Sequence, residues 1–145
     1  MALSYTSEGG NFLPSGRRKL SAWIKDVVAG EGYILGEVSF VFCSAEYHID
    51  INRRYLGHDY HTDVITFDYS DLDGTGVVSG DILIDPEQVA VQSKEWGATR
   101  EEELYRVMVH GVLHLCGYGD KEPAEQEIMT AKEDHYLSKL SVSLD

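Results

Sequence analysis

Val109-His110-Gly111-Val112-Leu113-His114-Leu115-Cys116-Gly117-Tyr118-Gly119-Asp120 is the stretch from which the rest of the chain is read. An apolar run carries two histidines four positions apart. In an α-helix such positions lie on one face, a turn apart, so both imidazoles can meet at one point. Gly117 and Gly119 then allow the backbone to reverse and bring Asp120 back toward them. A single histidine on an apolar helix is more often a hydrogen-bonded core residue than a ligand. The pair, the glycine turn and the carboxylate together instead match the extended zincin spacing His-x-x-x-His-x-x-Gly-x-x-Asp, with aspartate in the third place. Two imidazoles and one carboxylate suit zinc, with a fourth position left for water. In the peptidase version of this pattern a glutamate follows the first histidine as general base; here that place is Gly111, so peptidase chemistry is disfavoured.

Upstream, Thr99 and Glu102 are spaced as a capping box, which starts the central helix. Leu104, Val107, Met108, Val112, Leu113 and Leu115 surround that helix with apolar side chains and predict burial on most sides. Residues 2–7, 34–43, 62–69 and 77–85 read as four strands from their β-branched, aromatic and alternating composition. Apolar positions at three and four predict a helix over 17–29, and Ser44 caps a short one reaching Tyr55. Pro86 opens a helix that ends at Gly97, and Glu122-Pro123 opens the last. The order β-α-β-α-β-β-α-α-α predicts an α+β (α/β layer) sandwich, a single domain over 1–145.

At 145 residues, 43% hydrophobic and 26% charged, the chain can bury a core without disulfides, so Cys43 and Cys116 are expected reduced, with Cys116 as core filling. No window has 18 uninterrupted apolar residues and the N-terminus has no basic-then-apolar pattern, so we expect a cytoplasmic protein without membrane contact. Twelve basic against 25 acidic residues give a net charge of −13, which argues against broad capture of a phosphate backbone. Any RNA contact has to be local, metal-assisted or delivered by a basic partner; Arg17-Arg18-Lys19 and Arg53-Arg54 are the short basic clusters. His58, Asp59, His61, Thr62 and Asp63 have two readings, a second polar site or ordinary turn chemistry at a strand entry. His135 reads as a surface residue on an amphipathic helix.

Three blocks carry a resemblance to a known family. His110-Gly111-Val112-Leu113-His114-Leu115-Cys116-Gly117-Tyr118 follows the H-G-x-L-H-L-x-G-Y signature of the YbeY endoribonucleases, bacterial rRNA maturation factors. Asn52-x-x-Tyr55 with Thr62-Asp63-Val64-Ile65-Thr66-Phe67, and Gly80-Asp81-Ile82, follow that family's N-x-x-Y, T-D-V-L-S-F and G-D-I blocks in order. The resemblance implies a zincin-like fold with a four-stranded mixed sheet and a central metal-binding helix, holding one Zn2+ per chain through His110, His114 and Asp120. It also implies a single-strand-specific, metal-dependent endoribonuclease in rRNA processing, at the 3′ end of small-subunit rRNA, and in ribosome quality control. Its partners are then rRNA and the small subunit or its proteins. RNA is expected along the strand of Gly80 and Asp81 and at Thr62 and Asp63, with Asp81 the candidate catalytic carboxylate. The chain departs from the family at two places: Asp120 stands where a third histidine is usual, and Leu56 where an arginine usually follows the tyrosine. The alternatives are a non-catalytic ribosome-assembly factor with a structural metal and a metallohydrolase of another class, such as a peptidase.

Overall fold

The computed structural model describes the backbone of residues 2–144 and the side chains of residues 3–140. The elements in chain order are β1 (Ala2–Glu8), α1 (Arg17–Gly30), β2 (Ile34–Cys43), α2 (Ala45–Leu56), β3 (Val64–Asp68), β4 (Val77–Ile84), α3 (Pro86–Trp96), α4 (Arg100–Leu115) and α5 (Pro123–Leu144). The strands form one mixed sheet in the order β1-β2-β4-β3, parallel except for β3, which runs antiparallel on β4. This is the α+β sandwich that the element order predicts.

Alternation along the strands separates two faces. Val38, Phe40 and Phe42 of β2 and Val78, Ile82 and Ile84 of β4 are buried in the main core together with Leu20, Trp23, Ile24, Val27 and Val28 of α1. α4 lies in the same core, touching α1, α3, α5, β3 and β4, and Val107, Met108, Val109, Val112, Leu113 and Leu115 are all buried. Its polar side chains therefore have little choice of direction. The other sheet face carries a smaller cluster of Cys43, Ile65 and Leu83, packed by Val41, Ile51 and Phe67, which α2 covers in part.

Two glycines set the approach of α4 to the sheet. A Cβ on Gly111 would sit 2.7 Å from Ile82 Cγ2, and one on Gly80 would sit 2.7 Å from Leu115 Cδ2 and 2.5 Å from the Phe67 carbonyl. Helix and strand interlock through the two bare backbone positions.

The caps follow the sequence closely. Ser44 accepts from the Tyr47 amide, and Thr99 and Glu102 form the full capping box at 3.1 and 3.0 Å. Two strand limits differ from the expectation. The strand expected over 62–69 is only Val64–Asp68: Ser70 Oγ takes the Ser79 amide at 3.0 Å and breaks the regular ladder at one end, and at the other the Asp63 carboxylate is engaged by Gln92 of α3. The strand expected to reach Asp85 stops at Ile84, since the Asp85 side chain caps α3 by accepting from Glu87 and Gln88.

Candidate metal centre

His110 and His114, one turn apart near the end of α4, turn their Nε2 atoms toward each other at 2.9 Å. Asp120 Oδ2 lies 3.2 Å from the first and 3.4 Å from the second. The reversal that returns Asp120 depends on Gly117, whose φ of +100° is open to glycine and costly for other residues. Gly119, expected to share that work, has an ordinary backbone conformation. Among the described residues, these three form the group of histidine and carboxylate atoms able to surround one ion.

The outer nitrogens fix what the inner ones can be. His110 Nδ1 is 2.6 Å from Glu133 Oε2, and His114 Nδ1 is 2.8 Å from the Tyr118 carbonyl oxygen. Both acceptors lack a proton to give when Glu133 is ionised, so each imidazole donates from Nδ1 and presents a lone pair at Nε2. Two lone pairs and a carboxylate oxygen facing one another repel unless a cation lies between them. A tetrahedral zinc with ligands at about 2.0–2.1 Å separates its donors by roughly 3.3 Å. The observed spread of 2.9 to 3.4 Å brackets that value, so the residues present fit such an ion. The Asp120 side chain is the most open of the three at 40%, which marks the solvent side.

The surrounding charges reinforce the arrangement. Burial by itself lowers the pKa of His110, but the hydrogen bond and charge of Glu133, with Asp120 and Asp63 behind it, leave it raised above the usual imidazole value. Arg106, one turn before His110, reaches Glu133 Oε1 at 2.7 Å and Asp134 Oδ1 at 2.6 Å. On the other side Glu31, at the end of α1, accepts from the hydroxyls of Tyr118 and Tyr136 and from Lys132 Nζ. It thereby anchors the residue whose carbonyl holds His114. Cys116 takes no part, since burial pushes its thiol up to about 12.

The other sequence candidates separate into groups. Asp63 lines a small recess of about 150 Å³ with Glu103, Arg106, Val107, His110 and Glu133, and its carboxylate accepts from Gln92 Nε2 at 3.0 Å. Thr62 lies beside it, with Oγ1 3.4 Å from Asp63 Oδ1. Gly80 is buried under Leu115 and is a packing position, not a surface along which a substrate can lie. Asp81, the next residue on the strand, points to the opposite sheet face, where it lines a groove of about 570 Å³ with Tyr47, Tyr55, Phe67 and Tyr69. The sheet thus divides Asp81 from the histidines, against the expectation that it serves their chemistry. His58 stacks on Tyr60 and Asp59 pairs with Arg53, both exposed, so this cluster stays outside the centre; His61 and His135 are also exposed.

Glu133 is the site residue that the sequence reading overlooks. Its signal was available: Met129, Glu133, Tyr136 and Leu140 follow a three-and-four spacing, so a carboxylate occupies a position on the buried stripe of α5.

Comparison with known proteins agrees with the geometry. The family model described as Endoribonuclease YbeY matches residues 14–141. A protein named Endoribonuclease YbeY from Bacteroides thetaiotaomicron is 44% identical over 138 residues, covering 95% of this chain and 98% of its own length. Another of that name from Phocaeicola vulgatus is 41% identical over 140 residues, covering 97% and 99%. Among solved structures, the solution structure of TM1509 from Thermotoga maritima superimposes with a TM-score of 0.65 at 25% identity, covering 99% of this chain and 96% of that one. With the matched segment spanning three of the four strands, all five helices but the end of the last, and the Asp120 turn, the chain belongs to the YbeY endoribonuclease family.

Proposed function

We propose that this chain is a zinc-dependent endoribonuclease that cuts single-stranded RNA during maturation of the small-subunit rRNA 3′ end, with rRNA and small-subunit proteins as its cytoplasmic partners. The observation that carries the reading is the convergence of His110, His114 and Asp120, with both Nδ1 atoms held from outside, in a chain whose relatives are named endoribonucleases. A bound divalent metal supplies Lewis acidity toward a phosphoryl oxygen and toward the attacking water. The protein's own part is to present two fixed lone pairs and one anionic oxygen. Asp120 sits on the open side, where substrate arrives, and Asp63 shares a recess with His110. Gly111 supplies no base and has no room for a side chain beside Ile82, in keeping with a reaction other than peptide hydrolysis.

The deciding experiment incubates purified protein with single-stranded fragments of small-subunit rRNA, with and without chelator, beside a His114→Ala variant. Cleavage abolished by either change is expected. Cleavage that survives both would overturn the metal-enzyme reading. Zinc binding without any cleavage would favour an assembly factor with a structural metal, a reading to which the charge of −13 and the exposed Leu56 in the usual arginine position lend weight.

A further inference from the structure

Glu133 is buried, at 6% exposure, yet it carries a carboxylate and lies 23 positions from its imidazole partner. Such a group is costly to bury unless its oxygens are satisfied. Each oxygen here has one strong partner: Oε2 meets His110 Nδ1 at 2.6 Å, and Oε1 meets Arg106 at 2.7 Å. Arg106 is held in turn by Asp134 at 2.6 Å. The chain Asp134–Arg106–Glu133–His110 therefore ties α5 to the face of α4 that bears the triad. His114, by contrast, is steadied by a neutral carbonyl.

We infer that Glu133 is a positioning residue for the metal centre: it fixes the Nδ1–H tautomer and ring orientation of His110 and raises its basicity as a ligand, while Arg106 holds the carboxylate in place. The inference rests on the triad being a metal site. Arg106 matters because it occupies the other oxygen of Glu133 and so holds the carboxylate in place against His110 Nδ1. Carboxylates behind metal-bound histidines act in this way, and their loss costs about 10–100-fold in metal affinity or activity.

The test is zinc affinity, measured by competition against a chromophoric chelator, for the parent, Glu133→Gln and Glu133→Leu. A loss of about tenfold is expected for the glutamine variant, which keeps an acceptor but loses the charge, and of up to about 100-fold for leucine. The visible absorption bands of the cobalt-loaded proteins should shift in the same order, a signature that loss of packing alone does not produce. If the parent binds zinc and both variants match it within about twofold, the role of Glu133 is overturned while the metal site stands. If the parent binds no zinc, both readings fall. Should the leucine variant fail to fold, nitrogen-15 spectra of the zinc-loaded parent decide. A slowly exchanging, downfield His110 Nδ1 proton supports the role, and a rapidly exchanging one overturns it.

Discussion

Gly111 illustrates how one position serves both packing and chemistry. It leaves out the base of peptidase centres, and its missing side chain allows α4 to settle on Ile82 with only 2.7 Å available to a Cβ. Replacing it with alanine forces either helix or strand to move. A well-packed interior absorbs one extra methyl at a cost of about 1–3 kcal/mol, so Gly111→Ala should lower the urea midpoint accordingly. Adding Ile82→Ala to that variant should cost less than the two single changes summed, because it removes the clashing Cγ2; full additivity would show that the two residues do not press on each other. Asp120 permits a different test. Asp120→Ala should remove the chelator-sensitive component of cleavage, whereas Asp120→His, which restores the usual third imidazole, should keep it.

At the scale of the elements, the candidate metal centre depends on how α4 begins, ends and meets α5. Thr99 starts the helix through a complete capping box, about three turns before His110. Loss of such a cap costs about 0.5–2 kcal/mol. Thr99→Ala should therefore destabilise the protein by that amount in chemical denaturation while zinc affinity stays unchanged, since the fraying is confined to the far end of the helix. A parallel fall in zinc affinity would mean that the whole of α4, not its last two turns, holds the centre. At its other end the Gly117 turn is pinned by Tyr118, whose hydroxyl reaches Glu31 and whose carbonyl takes the His114 proton.

For the molecule as a whole, acid should act in two steps. The His48 side chain is buried on the inner face of α2 and donates from Nε2 to the Leu83 carbonyl oxygen, 2.9 Å away. Burial lowers its pKa below the ordinary 6.5, outweighing the nearby backbone carbonyl and carboxylates. A base whose folded pKa is depressed binds its proton more readily when unfolded, so its contribution is complete above pH 6.5 and declines as pH falls toward the folded value. Glu31 is also lowered: burial opposes ionisation, but the hydrogen bonds from Tyr118, Tyr136 and Lys132 prevail. Its contribution is present above the ordinary 4.5 and disappears as pH drops through the depressed folded value. Denaturation of the chelated protein from pH 8 down to about pH 2 should show both declines, the first below 6.5 and the second below 4.5. Comparison with His48→Phe should remove the first, and comparison with Glu31→Gln the second; parallel curves for parent and variant would refute the assignment of either group.

The charge of −13 has its own consequence at this scale. Arg53 and Arg54, one of the two basic clusters, are already paired with Asp59 and Asp50. A protein that makes 6–10 phosphate contacts loses about 10³–10⁵ in affinity between 50 and 200 mM salt. The proposed nuclease should show a much shallower dependence for single-stranded RNA. A steep slope would point to a basic face that the acidic composition conceals.

The sequence by itself determined the elements and the identity of the three converging side chains. Periodicity, caps and glycine breaks are local properties, and two histidines on one helix face followed by a tight turn are brought to one end of α4 by local geometry. The order of those elements carried the α+β class, and the family blocks implied its zincin-like form. Only the tertiary structure decided which face of the sheet each candidate serves, because a one-residue step along a strand reverses its direction: Gly80 went under Leu115 and Asp81 to the opposite groove. It also supplied Glu133 and Glu31, which reach the centre through the packing of α5 and α1 against α4, contacts between residues far apart in the chain that no local spacing records.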